Sequence, residues 1–141
     1  MRQRFAALAI ALGLVAGGIA VTASPAVAAT TDAYCAAGPD DGDACFYYLT
    51  NWSGSMVGIE NRSISDVESP WIDFITSGTG KGDGIGNAAG SEGNGDFDCS
   101  LRIYIHHEYG GTYDTLGPLD AIDHDEGITI NNERSYKFIT C

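Results

Sequence analysis

The sequence predicts an all-β, turn-rich single domain, and three observations predict it. Glycine is abundant, with 19 in 141 residues and 16 of them after position 28. Together with aromatics spread along the chain, this argues against a helical bundle. The stretch from Leu101 to His106 alternates, with Leu101, Ile103 and Ile105 on one side and Arg102, Tyr104 and His106 on the other. That is strand periodicity. Finally, one short pattern occurs twice: an aromatic, four residues, a second aromatic, one residue and a glycine.

The first element is an export signal. Arg2 and Arg4 form a charged start, Phe5 to Ala16 a short apolar run, and Ala26-Val27-Ala28 the small–x–small pattern of a cleavage site after Pro25. A membrane anchor needs about 20 strongly apolar residues, and this stretch is rich in Ala and Gly. We expect residues 1–28 to be a signal peptide, 29–141 to be one domain, and the protein to be secreted and extracellular. The part after residue 28 carries all 19 acids and five Lys and Arg, a net charge of −14. Such a surface repels phosphate backbones and anionic lipid, which argues against nucleic-acid and membrane partners. We expect a monomer.

Export gives the cysteines a meaning. Cys35, Cys45, Cys99 and Cys141 all follow the signal, and an even count in an oxidising compartment points to two disulfides. Three connectivities are open. We favour Cys35–Cys45 with Cys99–Cys141, because each pair then closes one half of the chain. No C-x-x-C spacing supports a zinc knuckle.

The repeat comes next. Its first copy places Tyr47, Trp52 and Gly54, and its second Tyr104, Tyr109 and Gly111. We expect a folded hairpin in each: the aromatics pack over the turn, and the glycine supplies a positive φ that a side chain would obstruct. Each copy is followed by a related tail, Ile85 to Ser91 in the first half and Ile130 to Tyr136 in the second.

Two such hairpins with matching tails resemble the βγ-crystallin Greek-key motif. The resemblance covers about Ala44 to Cys141. It implies a βγ-crystallin-like sandwich of two Greek-key motifs with about eight strands, motif one at about 44–96 and motif two at about 97–141. With an export signal and paired cysteines, the chain looks most like secreted bacterial proteins of the streptomycete metalloproteinase inhibitor type. The function this implies is a secreted peptidase inhibitor, with an extracellular protease as partner. That type carries its reactive loop in a small disulfide ring, and Cys99 has no nearby partner here. The candidate inhibitory segments are therefore those beside Cys99 (Asp96, Phe97, Asp98 and Ser100) and a glycine-rich stretch around Lys81. That stretch, Ser77 to Gly95, makes the first motif longer, and we expect a surface loop followed by a linker. The alternative is an extracellular structural or calcium-binding module without inhibitory activity.

Calcium is the cofactor the resemblance implies. The family's Asn/Asp-Asn/Asp-x-x-Ser/Thr-Ser element supplies hard oxygen ligands. Asn131, Asn132 and Ser135 match its first, second and fifth positions, with Tyr136 in place of the final Ser. The first copy keeps Asn87 and Ser91, while Gly86 and Gly90 stand where an oxygen is wanted. One degraded site is the most this supports, and a tight corner without metal explains the same residues.

Enzyme signatures are missing, so we expect no enzyme. His107-Glu108 lacks the second His of a zincin, because Gly111 stands there. Gly90-Ser91-Glu92-Gly93 is preceded by Ala89 and is not a nucleophile elbow. The clusters Asp40-Asp41-Gly42-Asp43 and Asp123-His124-Asp125-Glu126 read as solvated loops; in the first, Trp52 stands where an EF-hand needs an acid.

Overall fold

The computed structural model describes residues 28–141 apart from 40, 61, 69, 70 and 125. All but the last residue of the expected signal peptide lies outside the described residues, as do Asp40 and Asp125 of the acidic clusters. The strands are β1 (Thr31–Asp32), β2 (Ala44–Leu49), β3 (Ser53–Ile59), β4 (Ser63–Ile64), β5 (Ser91–Asn94), β6 (Ser100–His106), β7 (Gly110–Leu116), β8 (Ala121–Asp123) and β9 (Ser135–Ile139). Among the described residues there is no helix.

The strands form two antiparallel sheets, one in the order β1-β3-β2-β5-β8 and the other β4-β9-β6-β7. Without β1, both sheets have the same plan. Each half of the chain gives three strands to its own sheet and its third strand to the other: β4 crosses to sheet two and β8 to sheet one. This is a pair of interlocked Greek keys, in which neither half completes its own sheet. β1 is the strand beyond the expected eight and covers the β3 edge.

Register follows the side-chain pattern. Phe46 lies opposite Val57 and Glu92, and Leu101 opposite Leu116 and Phe138. Phe46, Val57, Ile59, Leu101, Ile103, Leu116 and Tyr136 are fully buried between the sheets. The expected alternation of β6 holds for Leu101 and Ile103 and breaks afterwards. A register shift between Tyr104 and His106 leaves Ile105 half-buried and turns Tyr104 beneath Tyr109 and Tyr113, with ring centroids 5.9 and 5.4 Å apart.

The glycine-rich segment differs from a loop followed by a linker. Ser91–Asn94 is β5, the strand that pairs β2 with β8. Ile85 and Ala89 belong to the core beside Ile72 and Phe74. The turns around Lys81 are tied to the first hairpin, Ser55 N donating to Thr79 O at 2.8 Å and Gly82 N to Phe74 O at 2.8 Å. Glycine content alone favours a free loop because it misses the spaced apolar residues Ile72, Phe74 and Ile85.

The bonded cysteine pairs are Cys35–Cys45 and Cys99–Cys141. Their sequence separations of 10 and 42 correspond to about 3 and about 4 kcal/mol of denatured-state loop entropy.

Candidate functional site

The two halves match atom for atom at their hairpin tips. Trp52 N donates to Ser91 Oγ at 3.1 Å and Tyr109 N to Ser135 Oγ at 3.0 Å. The same hydroxyls donate to Leu49 O at 2.9 Å and His106 O at 2.6 Å. Asn51, Trp52 and Gly54 have positive φ, as do Glu108, Tyr109 and Gly111. Tyr47 O accepts from Gly90 N and Tyr104 O from Arg134 N, both at 2.8 Å. The tails then cross: Asn87 N donates to Glu133 O at 3.2 Å and Asn131 N to Ala89 O at 2.9 Å. These pairs equate Ser91 with Ser135 and Asn87 with Asn131. Ile85 therefore matches Thr129, one residue earlier than the sequence alignment of the tails placed it.

The calcium candidates lie along these crossed tails. Asn87 and Asn131 both line a cavity of about 380 Å³ with Tyr48, Thr50 and His124. The hydroxyls of Ser91 and Ser135 are committed to the hairpins, each donating and accepting one hydrogen bond. Asn132 is exposed. In a different place, Asp66, Glu68 and His107 bring one ligand atom each to within 4.8 Å of one another. A cation is already there. The guanidinium of Arg134 pairs with Glu68, and His107 Nδ1 lies 3.0 Å from Asp66 Oδ1. Glu68 fills the space over Gly86, where a Cβ would sit 2.9 Å from its Cγ. Those residues fit an internal guanidinium better than a coordinated metal ion.

The loop from Asp96 to Cys99 holds an exposed aromatic on a hydrogen-bonded backbone. Phe97 (46% exposed) stands out from it, with Leu119 (59% exposed) nearby, and Asp98 is exposed between anchored neighbours. The backbone around Phe97 is pinned on every side. Asp96 Oδ1 accepts from Asp98 N at 2.7 Å and Cys99 N at 2.6 Å. Asn94 Oδ1 accepts from Asp96 N at 2.9 Å, while its Nδ2 donates to Cys99 O at 2.9 Å and Gly117 O at 2.8 Å. Phe97 N donates to Gly38 O at 3.1 Å and Leu119 N to Asp96 O at 3.0 Å. Arg62 completes the base, with Nη1 2.7 Å from Asp96 Oδ2 and its guanidinium carbon 4.0 Å from the centre of the Phe138 ring. Burial alone would raise the Asp96 carboxyl. The N–H groups of Cys99 and Asp98 and the Arg62 charge outweigh that and hold it below its usual range.

Of the other candidates, Ser100 begins β6 and is half-buried, off the exposed part of the loop. Lys81 is elsewhere. Its turn is bonded to the hairpin end of β2–β3, whereas Gly95 N donates to Asp43 O just before β2 begins. Lys81 and Phe97 therefore sit near opposite ends of β2 and form no common surface. Sequence reading missed Asn94, Arg62 and Leu119. No sequence signal joins them, because Arg62 lies 37 residues before Cys99 and Leu119 lies 20 after it.

The acidic clusters are not simply solvated. Asp43 is buried; Oδ2 accepts from Ala36 N at 2.7 Å and Oδ1 finds no donor among the described residues. Burial pushes its carboxyl up to about 6, with Asp32, Glu60 and Asp41 adding to the rise. Asp123 accepts Asn51 N on both oxygens, at 3.0 and 2.9 Å, and so braces the first hairpin.

Neither a family model nor a curated protein sequence matches the chain. A solved structure described as "Evolution of the eye lens beta-gamma-crystallin domain fold" superposes with a TM-score of 0.57. It covers 81% of this chain and 99% of that one, at 13% identity. The two interlocked Greek keys, the serine-tied hairpins and this superposition give one conclusion: the chain has the βγ-crystallin domain fold.

Proposed function

We propose that the domain is a secreted peptidase inhibitor that presents Phe97 on a rigid loop to the apolar specificity pocket of an extracellular protease. The observation that supports this most is the pinned backbone on either side of Phe97. An inhibitor must hold its binding loop in one conformation, because the entropy lost in ordering a floppy loop would offset the binding energy. Here Asp96, Asn94 and the Cys99–Cys141 bond do the ordering in advance, and an exposed aromatic is a suitable anchor for an apolar pocket.

The test is hydrolysis of a reporter peptide by a panel of proteases, thermolysin-like metalloproteases among them, with excess of the oxidised 29–141 protein. Inhibition that weakens at least about tenfold in Phe97→Ala supports the reading. Unchanged rates across the panel overturn it.

A non-inhibitory extracellular module is the second reading. It is favoured by the 42-residue span of the Cys99–Cys141 bond, which encloses the whole second motif and not a small ring. The hydrogen bonds that hold the hairpins at Ser91 and Ser135 serve either reading, and neither assigns the chain a catalytic step.

A further inference from the structure

Sheet one carries a carboxyl group into the core. Glu92 on β5 lies opposite Phe46 and Ile122, on the face that Phe46 turns inward, and it is fully buried. By the match of Ser91 with Ser135, its counterpart in the second half is Tyr136, which fills the same kind of place with an aromatic ring. The groups that face Glu92 are Thr129 and Glu133 from the corner before β9 and Asp114 from β7.

The hydrogen bonds fix where a proton must be. Thr129 Oγ1 lies 2.8 Å from Glu92 Oε2 and 2.9 Å from Asp114 Oδ2. A hydroxyl has one hydrogen, so it can donate to only one of these oxygens. The other interaction holds only if that carboxyl itself carries a proton and donates it to Oγ1. Asp114 Oδ2 also accepts Thr129 N at 2.8 Å, and Asp114 is only half-buried, so it suits the negative charge. Glu92 has no N–H donor, and its Oε1 has no partner at all among the described residues.

Glu133 points to the same assignment. Its Oε1 accepts Ala88 N at 2.9 Å and Ala89 N at 2.7 Å, and its Oε2 accepts Asn132 N at 2.9 Å. Burial raises the Glu133 carboxyl to about 7, but its three N–H donors favour the carboxylate and none is described for Glu92, so of the buried pair Glu133 gives up its proton first and Glu92 keeps its own.

We propose that Glu92 is a neutral carboxylic acid in the folded protein at neutral pH, and that its proton latches the two Greek keys together. The chain of donation runs from Glu92 Oε2–H to Thr129 Oγ1 and from Thr129 Oγ1–H to Asp114 Oδ2, joining β5 of the first motif to the corner and β7 of the second. Loss of that proton as pH rises leaves two acceptors around one hydroxyl and a bare charge in the core beside Glu133. The latch then opens, and the 129–133 corner loosens.

The direct test is a pH titration of the Glu92 side-chain carboxyl carbon by NMR in the full 29–141 domain, which requires no variant. The expected result is a protonated carboxyl at pH 7 while most other acids are ionised. Infrared spectra at the same pH should show a protonated-acid carbonyl band that Glu92→Gln removes. Amide exchange at Thr129 and Asn131 should quicken as the band disappears, and Glu92→Gln should flatten that pH dependence. If Glu92→Gln does not fold, Thr129→Val replaces it, with the band expected to shift because its acceptor is gone. A Glu92 carbon that is already ionised at pH 7, or exchange at the corner that ignores its titration, overturns the proposal.

Discussion

Ser91 and Ser135 each do two things with one hydroxyl. Each accepts the N–H of the second hairpin aromatic and donates to a carbonyl on the strand entering that hairpin. Both are almost fully buried, so removing the oxygen leaves an N–H and a carbonyl to find new partners. Ser135→Ala is expected to cost about 1–3 kcal/mol in urea unfolding, and Ser91→Ala about the same because the geometry repeats. A cost confined to one of the two would show that the repeat is geometric but not energetic. Both serines are legible in the sequence as tail residues, though aligning Ile85 with Ile130 sets Ser91 against Tyr136 and not Ser135. Their role is not, since a serine after a glycine-rich tail suits a metal ligand as well as a hairpin tie, and only the folded hairpin shows which partner the hydroxyl has. Phe97 is legible through its place beside Cys99. The polar base beneath it is not, because Asn94, Arg62 and Leu119 come from three separate segments.

At the scale of elements, the exchange of third strands governs how the domain holds together. Motif two without motif one loses β4 from the β9 edge and exposes the core faces of Leu101, Ile103 and Tyr136. A chain of residues 97–141 alone is therefore expected to give an unfolded NMR spectrum. Well-dispersed amides in that fragment would contradict the interlocking. The Cys99–Cys141 bond closes the second motif, and Cys99→Ser with Cys141→Ser should cost about 4 kcal/mol in unfolding free energy and loosen the Phe97 loop. The glycine-rich connection should resist limited proteolysis, because its turns are bonded to Ser55 and Phe74. The Arg134–Glu68 pair bears on metal dependence. With a guanidinium already placed among Asp66, Glu68 and His107, Glu68→Ala is expected to leave the response of the melting temperature to added calcium or a chelator the same as in the wild type. The strands are readable where apolar residues alternate, as at Leu101 and Ile103. The third-strand exchange is not, since β4 and β8 are two and three residues long and carry no periodic pattern of their own.

For the whole molecule, acidity sets how stability varies with pH. Burial raises Asp43 to about 6, Glu133 to about 7 and Glu92 well above the usual carboxyl range. In the unfolded chain these groups titrate at about 4. Between those values the folded protein binds more protons than the unfolded one, so stability falls as pH rises from about 4 through about 7. Asp96 acts in the opposite sense: held below its usual range, it contributes stability that is lost in stronger acid. The urea midpoint should therefore be higher at pH 5 than at pH 8. The difference should persist in high salt, because salt screens the −14 surface but hardly reaches buried groups. Net charge is legible in the sequence, but which acids are inside is not; Asp43 and Glu92 sit in stretches that look as solvated as their neighbours. The proposed function turns on the loop that the whole fold supports. Its most direct measurement is the inhibition constant of the oxidised domain against a protease it inhibits, compared with that of Phe97→Ala. The expected result is a loss of at least about tenfold with the urea midpoint unchanged. Equal constants for the two proteins, or no inhibition of any protease by the wild-type domain, would contradict it.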